Sequence, residues 1–120
     1  MEMTIDTPMP LILLFIEGTV AIGDLIYLEI LQGFKNDKDF KKAKSVIATL
    51  DQYEMFGHLM ADKCAESYRS LRKKGITIRK TTDVIIANFC IENRIPLLFS
   101  DRDFKPFVEK LGMLAVVAET

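Results

Sequence analysis

Short apolar stretches alternate with helical patterns along this chain, and this alternation constrains the fold more than any other feature. VAI at 20–22 is rich in β-formers and lies between Gly18 and Gly23, which predicts a short buried strand. PLLFS at 96–100 and LAVV at 114–117 predict two later strands. Strands that alternate with helices favour an α/β domain with a parallel sheet.

Five helical segments accompany these strands. The segment TTDVIIANFCIEN is apolar around most of its circumference, which predicts a buried helix with a threonine cap and an acid in its first turn. The five helices are predicted to begin near Asp24 and near Asn36 or Asp37, and to cover 58–73, 81–93 and 103–112.

Chain length and hydropathy limit the possible classes of protein. The 120 residues are enough for one domain, 1–120, with a core of its own. The longest apolar run, Leu11 to Ile16, is far shorter than the roughly 20 residues that span a bilayer. No Lys or Arg precedes that run, which disfavours a secretory signal, so we expect a cytoplasmic protein without a membrane partner.

The cysteines and the histidine exclude other chemistry. Cys64 and Cys90 lie in apolar helical patterns without metal-ligand spacing, which favours buried, reduced thiols. His58 is the only histidine, so a histidine-based triad or a His-rich zinc site is disfavoured.

The net charge of −1 conceals a strong segregation. Residues 1–34 contain five acids and no Lys or Arg, whereas residues 35–80 contain twelve bases against six acids. An acidic pocket beside a basic surface is what a metal-dependent enzyme that acts on a polyanion requires. Solvated helix faces explain the same charges more simply, and charge alone favours that interpretation over an acidic pocket beside a basic surface.

Several acids fall at the predicted junctions of strands and helices, where ligands gather in α/β sheets. Each acid taken alone is compatible with an ordinary role at a helix end, in a turn or in solvent. If several converge, their mutual repulsion calls for a hard cation such as Mg²⁺ or Mn²⁺, which would support phosphodiester hydrolysis without a histidine. The acids are Asp6, Asp24, Asp83, Asp101 and Asp103, together with Glu29 inside an apolar helix.

The chain resembles the PIN-domain family, and specifically its VapC-type ribonuclease toxins, in the order of three motifs. These are an early DT, then GDLIYLEILQGF, then TIRKTTDVIIANFCIENRIPLLFSDRDFKPF. The resemblance is strongest over 75–107 and extends over about 18–117. It implies a three-layer α/β/α sandwich with a mainly parallel central sheet. It also implies a Mg²⁺- or Mn²⁺-dependent endoribonuclease that cuts tRNA or rRNA, is neutralised by a VapB-like antitoxin and commonly forms homodimers.

The resemblance also implies roles for particular residues. It assigns catalytic roles to Asp6, Glu29, Asp83, Asp101 and Asp103, with metal bound by Asp6, Asp83 and Asp101. It assigns contacts with RNA to Arg79, Lys80 and Ser100.

Residues 1–17 depart from the family pattern. MEMTI predicts a strand only weakly, and Asp6-Thr7 is followed by Pro-Met-Pro. Asp6 lies only 23 residues before Glu29. Either Asp6 is the first acid and the first helix is shortened, or the first strand is missing or irregular and Asp6 lies in a loop before a helix that ends in IEG. The second case leaves open a truncated or degenerate PIN domain that binds antitoxin or RNA but has lost cleavage.

Overall fold

The computed structural model describes residues 12–99 and 102–117, which contain a five-stranded sheet and five α-helices. The strands lie in the order β3-β2-β1-β4-β5. They are β1 (Ile12–Ile16), β2 (Thr19–Gly23), β3 (Asp51–Tyr53), β4 (Leu97–Phe99) and β5 (Ala115–Val117). The helices are α1 (Asp24–Gln32), α2 (Asp37–Ile47), α3 (His58–Lys73), α4 (Thr81–Asn93) and α5 (Lys105–Leu111), with a 3₁₀ turn at Arg102–Phe104.

The strand directions define the architecture. β2 pairs with β3 and β4 pairs with β5 in parallel, whereas β1 is antiparallel to both of its neighbours, β2 and β4. Four of the five strands therefore run in one direction. The predicted α/β class with a mainly parallel sheet is confirmed, and the exception is the strand at its centre.

That central strand corrects the prediction for the chain before residue 18. One of the two interpretations that the sequence left open has a helix ending in IEG here, but Ile12–Ile16 forms a regular strand that turns back into β2. Glu17 and Gly18 both have positive φ angles, 51° and 81°, which is the backbone of a two-residue type I′ hairpin turn. The Thr19 hydroxyl donates to the Ile16 carbonyl at 2.9 Å and closes the turn. The strand that the sequence left open as missing or irregular, MEMTI before Asp6, lies outside the described residues.

The core lies between the sheet and the most buried helix, α4. Residues 83–90 of α4 are all buried, as the circumferential apolar pattern predicts. The side chain of Asn88, 2% exposed, accepts a hydrogen bond from Ser67 of α3 and donates one to the Val84 carbonyl, so a polar contact fixes α3 against α4. No helix in the described part of the chain is long and apolar enough to cross a membrane.

Candidate functional site

One edge of the sheet gathers most of the candidate residues that the structure describes. β2 ends at Gly23 and α1 begins at the next residue, so the first turn of α1 lies at this edge. Ile12 pairs with Phe99, which places the beginning of β1 beside the end of β4. The 3₁₀ turn that carries Asp103 follows β4 after two residues. The edge therefore combines strand ends with a helix N-terminus, the arrangement in which α/β proteins bind ligands.

Asp83 is the most deeply buried acid among the described residues. It is the third residue of α4 and is 3% exposed, and its backbone N–H donates to the Lys80 carbonyl at 3.2 Å. An anionic side chain in the first turn of a helix is stabilised by the helix dipole. Burying a carboxylate is costly unless it has polar or cationic partners. The position therefore suits a functional acid better than a solvated one.

Glu29 is joined to α4 by the residue beside Asp83. The Thr82 hydroxyl donates a hydrogen bond to Oε1 of Glu29, across 53 positions of sequence. The apolar neighbours of Glu29 predict that its half-buried carboxylate requires a partner, and Thr82 is that partner. This contact joins α1 to the first turn of α4, one residue before Asp83.

Thr82 is the site residue that sequence reasoning assigned to a different role. The two threonines of TTDV predict a helix cap, but the N-cap of α4 is Lys80, without a side-chain capping hydrogen bond. Thr82 is free to contact Glu29 because it lies one residue inside the helix. Only the pairing of α1 with α4 reveals this role, and no local pattern in the sequence contains it.

Asp103 and Arg79 form an ion pair, with Nη2 of Arg79 3.6 Å from Oδ1 of Asp103. The side chains are 84% exposed for Arg79 and 32% for Asp103, so solvent screens the attraction and its net contribution to stability is small. The pair places a predicted RNA-binding cation directly against a predicted catalytic acid. Lys80 is exposed beside it.

Three predicted site residues, Asp6, Ser100 and Asp101, lie outside the described residues. Within the described ranges, no group of three or more His, Cys, Asp or Glu side chains is arranged to hold a metal ion. The donor chemistry of Glu29 and Asp83 suits a hard cation, since both offer carboxylate oxygens. Mg²⁺ is commonly held by one or two carboxylates together with several water molecules, which is compatible with either acid as a ligand.

Asp24 has a structural role. Its Oδ1 accepts hydrogen bonds from the backbone N–H groups of Leu25, at 2.8 Å, and Met55, at 3.1 Å. The carboxylate thus joins the start of α1 to the segment between β3 and α3. This is the helix-end role that the sequence left open for Asp24.

The two cysteines are buried and reduced, as predicted. Burial raises the pKa of the Cys90 thiol to about 12 and also raises the pKa of Cys64. Both side chains are therefore protonated near neutral pH, and neither offers a thiolate nucleophile or metal ligand.

The fold is similar to that of a known structure. The chain resembles a chain in the crystal structure of VapBC2 from Rickettsia felis, which was solved bound to a DNA fragment from the promoter of that pair. The TM-score is 0.66, with 18% sequence identity, over 82% of this chain and 74% of the other. No protein-family model and no curated protein matches the sequence. At this identity the similarity demonstrates a shared, VapC-like fold.

Proposed function

We propose that the protein is a VapC-like, metal-dependent endoribonuclease toxin that hydrolyses phosphodiester bonds in tRNA or rRNA. The observation that carries the proposal is the buried carboxylate of Asp83 at the start of α4, with Glu29 hydrogen-bonded to the preceding residue. The similarity of the fold to VapBC2 supports the toxin class. The position of these acids at the ligand-binding edge of the sheet supports a catalytic use for them.

In this proposal Asp83, together with Asp6 and Asp101, would hold Mg²⁺ or Mn²⁺, and Glu29 and Asp103 would complete the acidic site. The bound metal would lower the pKa of a water molecule and stabilise the charge on the phosphate. Thr82 holds the carboxylate of Glu29 in one orientation. Arg79, Lys80 and Ser100 would contact RNA phosphates and orient the chain for attack.

The proposed protein partner is a VapB-like antitoxin. The similar structure is a VapBC2 complex, in which two kinds of chain assemble on promoter DNA. A partner of this kind would cover the acidic site of the present protein and prevent RNA from entering. We further propose that the active form is a cytoplasmic homodimer.

A second candidate is a PIN-like domain that binds antitoxin or RNA without cutting it. The departure of residues 1–17 from the family pattern motivates this candidate, because loss of one metal ligand from a carboxylate site would remove most of its metal affinity. Asp6 lies outside the described residues, and β1 begins six residues after it.

Calorimetric titration with Mn²⁺ discriminates between the two candidates. The ribonuclease proposal predicts saturable binding by the wild-type protein that is lost in Asp83→Asn and weakened in Asp6→Asn. Asp62→Asn is the matched control, because Asp62 is 67% exposed on α3 and its one ionic partner among the described residues is His58, at 3.8 Å. Absence of Mn²⁺ binding by a folded wild-type protein that still binds RNA would support the second candidate.

A further inference from the structure

The outer surface of α3 and the segment that follows it carry a large, uncompensated positive charge. Between His58 and Lys80 the sequence has seven Lys or Arg residues and two acids, in a chain whose net charge is −1. Both acids, Asp62 and Glu66, precede residue 67, and the remaining fourteen positions hold six bases and no acid. The six bases are Arg69, Arg72, Lys73, Lys74, Arg79 and Lys80, which we call the α3 basic surface.

Helix capping explains only part of this surface. Arg72 and Lys73 lie in the last turn of α3, where cations are stabilised by the helix dipole. Arg69 lies before that turn, and Lys80 follows the helix by seven residues. All six side chains are exposed, and among the described residues only Arg79 has a carboxylate partner. Intramolecular ion pairing therefore does not account for the remaining five charges.

Three of these bases surround a depression. Arg69, Lys73 and Lys74 line it together with Ser70 and Glu66, and its volume is about 360 Å³. Arg69 and Lys73 are four residues apart, so their side chains are neighbours on one face of the helix. The three cations outnumber the single carboxylate, Glu66, so the depression carries a net positive charge, and charge-assisted hydrogen bonds from Arg and Lys suit a phosphate group.

The basic surface has a fixed relationship to the acidic site. The Ile76 N–H donates to the Leu71 carbonyl at 2.9 Å and the Gly75 N–H to the Arg72 carbonyl at 3.0 Å, so the end of α3 is held in one conformation. The hydrogen bond between Ser67 and Asn88 attaches α3 to α4, the helix that carries Asp83. A ligand on Arg69 and Lys73 would therefore lie on a helix that contacts the helix of the candidate catalytic acid.

We propose that Arg69 and Lys73, at the centre of the α3 basic surface, bind phosphates of the RNA that lie outside the cleavage site. This inference rests on the proposed function, and it assigns to α3 the part of the RNA that extends beyond the bond to be cut. The contacts are to phosphates, so they contribute affinity without selecting a sequence.

The test measures binding of a fluorescent single-stranded oligoribonucleotide of mixed sequence by anisotropy, in EDTA so that no cleavage occurs. The variant is Arg69→Glu/Lys73→Glu, and the matched control is Lys41→Glu/Lys42→Glu, which makes the same charge change on exposed residues of α2. We expect the α3 variant to bind the RNA on the order of tenfold more weakly than the control variant does. The slope of log K against log salt concentration should also be shallower by about 1.4, which is about 0.7 for each of two lost phosphate contacts.

Equal affinities of the two double variants for the RNA would overturn the inference. The inference would also fail if the wild-type protein bound polyglutamate as tightly as it binds the RNA. Cleavage assays in Mn²⁺ separate this inference from the proposed function. If the wild-type protein cuts RNA and the α3 variant retains the same KM, the inference fails and the function stands. If no cleavage occurs but the α3 variant alone loses RNA binding, the inference stands and the function fails.

Discussion

The Thr82 hydroxyl donates a hydrogen bond to the Glu29 carboxylate, which joins α4 to α1 one residue before the buried Asp83. Thr82→Val keeps the shape of the side chain and removes the donor. We expect the free energy of unfolding to fall by about 1–2 kcal/mol, because a half-buried charged acceptor loses its partner. Urea denaturation measures the change, and the neighbouring exposed residue provides the control, Thr81→Val. Equal effects of the two substitutions would contradict the assigned contact.

Ser67→Ala tests the polar contact between α3 and α4. Asn88 is 2% exposed, and its Oδ1 accepts from the Ser67 hydroxyl at 2.7 Å. Removing that hydroxyl leaves a buried acceptor without this donor, which should lower stability by about 1–2 kcal/mol. Ser45→Ala, at an exposed position of α2, is the control and should be neutral or slightly stabilising. Identical urea midpoints for Ser67→Ala and the wild type would refute the prediction.

Gly23 marks a close approach between the end of β2 and Met55. A Cβ at Gly23 would lie 2.0 Å from Sδ of Met55, a side chain that is only 2% exposed. Gly23→Ala should therefore displace Met55 and lower stability by about 1–3 kcal/mol. Gly57→Ala is the control, since a Cβ there meets no atom within 4 Å. The prediction fails if thermal unfolding gives the two variants the same Tm.

The Cys90 thiol should contribute to the alkaline limit of stability. Its pKa is raised by burial to about 12 from an ordinary 9.0, so the unfolded chain ionises first as pH increases. The contribution of the neutral Cys90 thiol to the free energy of unfolding is therefore fully present below pH 9 and is lost between about pH 9 and 12. Relative to Cys90→Ala, the wild type should lose about 2 kcal/mol between pH 8 and 10.5. A stability difference between the two proteins that is constant over this range would contradict the assigned burial effect.

Most helices and strands of this fold follow from local patterns in the sequence. α3 covers the predicted residues 58–73 because its apolar spacing ends at a glycine, and Asn36 caps α2 by accepting from the Asp39 N–H at 2.8 Å. β1 was missed because an apolar run of this length is compatible with a helix or a strand. Glu-Gly between two apolar runs is also a weaker hairpin signal than Asn-Gly.

The candidate site was only partly predictable for a different reason. Local sequence identified Glu29 and Asp83, because a charge inside an apolar helix requires a partner. It did not identify the contacts of Thr82 with Glu29 or of Arg79 with Asp103, because each joins elements that are distant in sequence. Tertiary pairing decides those contacts, and the direction of β1 likewise depends on its partners β2 and β4.

The most direct test of the proposed metal-dependent cleavage is the initial rate of RNA cleavage in Mn²⁺. The rate is measured for the wild-type protein, Asp83→Asn, Glu29→Gln and the exposed control Asp62→Asn, after circular dichroism has shown that each variant is folded. We expect metal-dependent cleavage by the wild type and by Asp62→Asn. The rates should be at least about 100-fold lower for Asp83→Asn and markedly lower for Glu29→Gln, since loss of a metal ligand should exceed the 10–100-fold effect of outer-shell changes. Equal rates for the wild type and a folded Asp83→Asn, or no cleavage by the wild type, would contradict the proposal.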